Sequence, residues 1–302
     1  MKTHFITFFF FFVLALGPVF GGNIQTRADS PSAIMSNEIP LGQIVSQRLG
    51  IPNFFRKINQ HGTNITIAYL GGSITAGAGA SAEQKTYRGR VTSYIRSKLP
   101  DFEVKEVNAG LGGTGSFLGA FRVKRDCINA RPDLVFIEFA VNDAGETEKQ
   151  CVAYLEGIVR QIWTSNPLCD IVLIYTATER WFYIYKAGDL PPSVKAHEKV
   201  ADYYGIPSVN VGIAAGMMVE NKKWETKDFS LDGVHPTDTG YALYADMIVR
   251  AGETALSQWK ADFPAVQRSP LRSPISMLPL EPGNLIPASK AATDKNWNLV
   301  SK

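Results

Sequence analysis

A serine set among glycines, and an aspartate three residues ahead of a histidine, are the groups in this chain best suited to covalent catalysis. The serine is Ser73, in Leu70-Gly71-Gly72-Ser73-Ile74-Thr75, with Gly77 and Gly79 close behind. The pair is Asp232 and His235, in Asp232-Gly233-Val234-His235-Pro236. A hydroxyl is a weak nucleophile until an adjacent imidazole takes its proton, and the imidazole works best when a carboxylate fixes its tautomer. A spacing of three lets a tight turn carry the Asp232 carboxylate to the His235 ring, and Pro236 stiffens the exit. Of the other three histidines, His4 lies just ahead of the N-terminal apolar stretch, and His61 and His197 have no comparable carboxylate and glycine setting along the chain.

Acyl transfer through a serine also needs donors for the negative oxygen of the tetrahedral intermediate. Val107-Asn108-Ala109-Gly110-Leu111-Gly112-Gly113-Thr114-Gly115-Ser116 places four glycines ahead of a helical pattern, where free N–H groups suit an anion. Phe136-Ile137-Glu138-Phe139-Ala140-Val141-Asn142-Asp143 puts the Asn142 amide just past an apolar run. Each stretch alone also reads as an ordinary loop, a phosphate cradle or a turn.

These stretches need elements to position them. From Ile65 onward, short apolar runs alternate with longer amphipathic ones, the pattern of strand–helix units on a parallel sheet. Strands are predicted at 65–70, 104–107, 134–139, 171–175 and 208–211, and helices at 87–99, 117–129, 148–165, 193–204 and 237–256. Short helical pieces are expected at 41–49 and 53–58. The resulting fold class is α/β, a three-layer α/β/α sandwich with a five-stranded, mainly parallel sheet. Ligands in such sheets gather beyond the carboxyl ends of the strands, where the Ser73, glycine and Asn142 stretches fall, while the Asp232–His235 pair lies just ahead of the long closing helix.

Composition bounds the rest. With 302 residues, 45% hydrophobic and 20% charged, one globular domain is expected, and the net charge of +3 without long basic runs argues against nucleic acid as a partner. Lys2 precedes the apolar stretch Phe5–Leu16, which Gly17-Pro18 ends before the small residues Gly21-Gly22. Residues 1–22 therefore read as a signal peptide for secretion, outside the cell or into a periplasm, and the stretch falls short of the ~20 residues a membrane span needs. No stable membrane insertion is expected after its removal. Residues 23–62 read as a lead-in, 63–262 as the domain and 263–302 as a proline-rich tail that either wraps the domain or opens an accessory one. Cys127, Cys151 and Cys169 lack metal-site spacing, so no metal is expected, and one disulfide with one thiol left over is expected. Asn64-Ile65-Thr66 fits a glycosylation sequon.

In this order, the four blocks resemble those of the SGNH, or GDSL-like, hydrolase family across residues 65 to 256. The resemblance implies a flavodoxin-like fold in which Ser73 is the nucleophile, Asp232 and His235 complete a catalytic triad, and the oxyanion hole is formed by Ser73 N–H, Gly113 N–H (with Gly112 as a substitute) and the Asn142 side chain. Two positions depart from the family pattern. Gly-Asp-Ser-Leu is here Gly71-Gly72-Ser73-Ile74, and the glycine of Gly-x-Asn-Asp is Ala140. The missing aspartate and the lead-in Ile51-Pro52-Asn53-Phe54-Phe55 resemble a branch of carbohydrate-directed esterases. The implied activity is hydrolysis of carboxylic esters without cofactors, on a small-molecule or polysaccharide ester, with acetyl as the expected acyl group. The alternatives are a lipid esterase or lysophospholipase, and a catalytically silent carbohydrate-binding protein. Trp181, Phe182, Tyr183 and Tyr185 follow the fourth strand and suit either stacking on sugar or filling the core.

Overall fold

The computed structural model describes residues 38–60, 64–281 and 283. Residues 1–37, which include the segment read as a signal peptide, residues 61–63 with His61, Pro282 and residues 284–302 lie outside the described residues. In chain order the strands are β1 (Val45–Ser46), β2 (Asn64–Gly71), β3 (Glu103–Gly110), β4 (Leu134–Glu138), β5 (Asp170–Ile174) and β6 (Ser208–Val209). The helices are α1 (Pro52–Asn59), α2 (Ser73–Ala76), α3 (Tyr87–Lys98), α4 (Ser116–Asp126), α5 (Glu148–Ser165), α6 (Phe182–Lys186), α7 (Pro192–Tyr204), α8 (Val211–Glu220), α9 (Thr226–Phe229) and α10 (Asp238–Gln258).

Side chains alternate across β2. Ile65, Ile67 and Tyr69 face a core built with α1, α3, α8 and α10, while Ala68 and Leu70 face a second core built with α4, α5 and α7. With both faces covered, β4 and β5 are buried along their whole length, which is why Leu134–Ile137 and Ile171–Ile174 read as unbroken apolar runs rather than alternating ones. Helix starts follow local capping. Thr147 and Gln150 form a capping box at α5, and Thr237 accepts the Gly240 N–H at α10.

The sheet order is β1-β6-β5-β4-β2-β3, and β2 through β6 are mutually parallel. The sheet has six strands rather than the five expected. Val45 and Ser46 pair antiparallel with Val209 and Ser208 and cover the otherwise open edge of β6. The helix expected over 41–49 is a 3₁₀ turn, Leu41–Gln43, followed by this two-residue strand. Tertiary pairing overrides local pattern there: the Asn210 N–H donates to the Ile44 carbonyl at 2.7 Å. Such a short strand carries no readable period.

The three cysteines are all free and buried, which corrects the expected disulfide. They are small members of the core beneath α4 and α5, and burial pushes the thiols of Cys127 and Cys151 up to about 12. No helix among the described residues is long and apolar enough to cross a membrane.

The described part of the tail is a strap over the domain. Arg268 pairs with the buried Asp170 at 3.0 Å and lies over the Trp163 ring, and the N–H groups of Ile275 and Ser276 donate to the buried Glu156. Removing one partner of a buried ion pair strands the other charge. Arg268→Ala is expected to destabilise the protein by about 3–5 kcal/mol, read from urea unfolding at pH 8, where the Asp170 carboxyl is ionised.

Candidate active site

The strand order reverses between β3, β2 and β4, so the loops after β2 and β4 border one crevice. β2 ends at Gly71, and Gly72 turns the chain directly into α2, with Ser73 as its first residue. A Cβ on Gly72 would stand 2.1 Å from Asn142 Oδ1. Glycine here, where the family pattern has aspartate, leaves the space that the Asn142 side chain fills. Gly79 is under similar constraint, with φ of 90° and a Cβ position 3.1 Å from the His235 Cβ.

The loop before α10 brings the distant pair to this turn. His235 Nε2 lies 2.8 Å from Ser73 Oγ, and His235 Nδ1 lies 2.6 Å from Asp232 Oδ2. An ionised carboxylate only accepts, so Nδ1 carries the ring proton and the lone pair on Nε2 faces the serine hydroxyl. Asp232 Oδ1 accepts the N–H groups of His235 at 2.8 Å and Val234 at 2.9 Å, and the Ser230 hydroxyl at 3.0 Å. The hydrogen bond from the His235 ring, and then that from its backbone N–H, hold Asp232 well below the usual carboxylate range.

Three further contacts brace this loop and the serine turn. The Tyr241 hydroxyl, on the first turn of α10, lies 2.9 Å from the Ile74 carbonyl oxygen and 2.8 Å from that of Ala78. The Glu179 N–H donates to the Gly233 carbonyl at 2.9 Å. Of the candidate donors, Asn142 opens a 3₁₀ turn after β4 and lies over Gly72. In the glycine loop the Leu111 N–H donates to the Gly71 carbonyl. A Cβ on Gly112 would stand 3.8 Å from the Ser73 Cβ, whereas nothing among the described residues lies within 4 Å of one on Gly113, whose φ is 72°. Gly112 is thus the nearer of the two glycines to Ser73 by this measure.

Behind the serine turn lies a buried acid that the sequence reading passed over. Glu138 closes β4; its carboxyl accepts the Thr75 hydroxyl at 3.0 Å and the Thr176 hydroxyl at 2.9 Å. Burial outweighs these bonds and pushes it up to about 7. The folded state then holds a proton that the unfolded chain releases near pH 4.5, so this group's contribution to stability falls as pH rises from 4.5 to about 7. Glu138→Gln is expected to flatten that decline by roughly 3 kcal/mol when urea unfolding is compared at pH 5 and pH 8. Asp170, pushed up to about 6 by burial, keeps a smaller slope of the same sign in the variant.

The aromatic cluster divides. Trp181 is buried and Phe182 packs on Phe229 with ring centroids 5.2 Å apart, whereas Tyr183 is 70% exposed. An apolar groove beside Phe54, Phe55 and Leu134 lies at the amino-terminal ends of the strands, away from Ser73.

The family model of the GDSL-like lipase/acylhydrolase family matches residues 69–243, more than half of the chain. The chain belongs to that family. Comparison with curated protein sequences finds no match. Among solved structures, a two-domain esterase (CEX) active on acetylated mannans, co-crystallised with mannopentaose, is 27% identical, with a TM-score of 0.66 over 76% of this chain and 60% of that one. This GDSL-like chain therefore spans only about 60% of that esterase's length. A mutant of Axe2, an acetyl-xylooligosaccharide esterase from Geobacillus, is 17% identical, with a TM-score of 0.54 over 69% of this chain and 99% of that one. The acetyl xylan esterase AlAXEase is 19% identical, with a TM-score of 0.51 over 62% and 99%. At these identities the last two show a shared fold, the α/β sandwich described above.

Proposed function

We propose that this GDSL-like protein is a carboxylic ester hydrolase with Ser73 as nucleophile, His235 as general base and Asp232 as the carboxylate that orients it. The observation that carries this reading is the line of hydrogen bonds from Asp232 through His235 to Ser73, at 2.6 and 2.8 Å. As Ser73 Oγ bonds to the ester carbonyl carbon, its proton passes to His235 Nε2, and the N–H groups of Ser73 and of Gly112 or Gly113, with the Asn142 amide, hold the oxyanion. Collapse expels the alcohol, which takes the proton from His235. Water then repeats the sequence on the acyl-serine and releases the acid. Every role falls to a protein group, so the reaction needs no metal or organic cofactor.

The substrate proposed is an acetylated carbohydrate. Support comes from the mannan-active esterase of similar fold and from the openness of the site. The side chains of His235 and Asp232 are 30% and 56% exposed, which suits a short acyl group on a bulky polymer better than a long chain that needs an enclosed apolar channel. Exposed Leu111 and Leu231 sit on the loops that carry the candidate donors and the Asp232–His235 pair, as apolar surface for the C–H faces of a sugar. Incubation with acetylated mannan and acetylated xylan is expected to release acetate, and p-nitrophenyl acetate is expected to be turned over at least about tenfold faster than the octanoate. Faster turnover of the octanoate, with no acetate released from either glycan, would transfer the reading to a lipid esterase. Secretion through residues 1–22 is part of the proposal; N-terminal sequencing of the exported protein should begin just after Gly22, and an intact Met1 would contradict it.

A further inference from the structure

Besides the Ser73 N–H, the candidate oxyanion donors sit on two separate loops, the glycine loop after β3 and the Asn142 turn after β4. Beyond the strand ends the sheet register no longer sets the distance between them. A buried carboxylate does so instead. Asp143, next to Asn142, accepts the Ser116 N–H at 2.8 Å and the Ser116 hydroxyl at 2.6 Å, and Ser116 is the first residue of α4, just past the glycine loop. The same carboxylate lies 2.9 Å from His197 Nε2, and Asp143, His197 and Ser116 are all at most 2% exposed. Since the carboxylate can only accept, Nε2 carries a proton and donates.

Helix α7 grips the turn twice on one face. His197 lies four residues after Ser193, whose hydroxyl donates to the Ala140 carbonyl at 2.7 Å. Cys151 Sγ, 3.7 Å from the Asp143 carbonyl oxygen, approaches from α5. Asp143, Cys151 and His197 bring three potential metal ligands within 4.8 Å of one another. Both carboxylate oxygens are already engaged, however, and burial keeps the Cys151 thiol protonated, so the cluster is a hydrogen-bonded knot.

We infer that Asp143 and His197 are positioning residues that lock the glycine loop and the Asn142 turn at the separation one oxyanion requires. The inference rests on the esterase reading. Charge-assisted hydrogen bonds between buried groups are short and stiff. A shift of about 1 Å in a catalytic donor costs on the order of 10²-fold in rate. His197 therefore acts on the transition state through Asp143 without touching substrate.

The test measures kcat and KM on p-nitrophenyl acetate per active site, with sites counted by fluorophosphonate titration run to completion. For His197→Leu, kcat per titrated site is expected to fall about 10–100-fold, with KM within about twofold of the native value. His197→Gln, whose amide donates from near the Nε2 position, is expected to recover to within about fivefold of native. Ser116→Ala removes one donor to Asp143 with little volume change and is expected to lower kcat about 3–10-fold, which keeps the test available should the leucine variant not fold. Native kcat per site in His197→Leu or Ser116→Ala, or a glutamine variant no better than the leucine one, overturns the inference while leaving the esterase reading intact. Native protein that does not titrate at Ser73 at all overturns both.

Discussion

Replacing Ser73 by alanine lowers the turnover of p-nitrophenyl acetate by about 10⁴-fold or more, with the circular dichroism spectrum unchanged. The fold does not depend on this hydroxyl. Gly72 and Gly77 set the course of the short helix, and Ser73 Oγ is hydrogen-bonded to the His235 ring. Asp232→Asn is expected to cost about as much, for a different reason. Asp232 Oδ1 is held by the N–H groups of Val234 and His235, so an asparagine keeps its oxygen there and turns its NH₂ towards His235 Nδ1. That nitrogen must then become the acceptor, Nε2 takes the proton, and the ring no longer accepts from Ser73. The asparagine variant keeps every heavy atom in place and loses the tautomer, so preserved structure with lost turnover isolates the electronic role.

Asn142→Ala is expected to lower kcat by about 10²–10³-fold, the cost of one oxyanion donor, with KM little changed because the oxygen is negative only in the transition state. Gly72→Ala is expected to act through the same group. Its methyl would stand 2.1 Å from Asn142 Oδ1, so the amide must leave its position. The two substitutions touch each other and should not add: in the double variant, Gly72→Ala is expected to cost less than about threefold beyond Asn142→Ala. Additive losses would show that Gly72 serves the serine turn in some way independent of Asn142. Both can be read from steady-state kinetics on p-nitrophenyl acetate.

Much of this was legible in the sequence because the parallel sheet converts chain order into place. Each strand from β2 onward ends on the same side, so Ser73, the glycine loop and Asn142 had to lie near one another once their strands were recognised, and Ile65–Leu70 and Leu134–Phe139 were recognisable as short β-branched or aromatic runs. Asp232 and His235 were legible because a spacing of three is satisfied within a single turn. What stayed hidden depends on contacts between distant segments. His197 appeared to lack a carboxylate because its partner, Asp143, lies 54 residues away in the chain and meets it only when α7 packs against α5 and the turn after β4. Ser116 and Tyr241 give no signal at all until the helices are placed. Glu138 did give one, an acid inside the apolar run Phe136-Ile137-Glu138-Phe139, since a carboxyl seldom sits in a buried strand without partners. The short β1 strand and the free cysteines were missed because pairing and oxidation follow from three-dimensional neighbours, and counting residues does not supply them.

The central claim is that His235 activates Ser73, and a fluorophosphonate probe tests it directly, because only an activated serine displaces fluoride from phosphorus. The account predicts one probe per chain on the peptide that contains Ser73, with labelling abolished in His235→Ala. Folded native protein that takes up no probe, or takes it up on another serine, would contradict it.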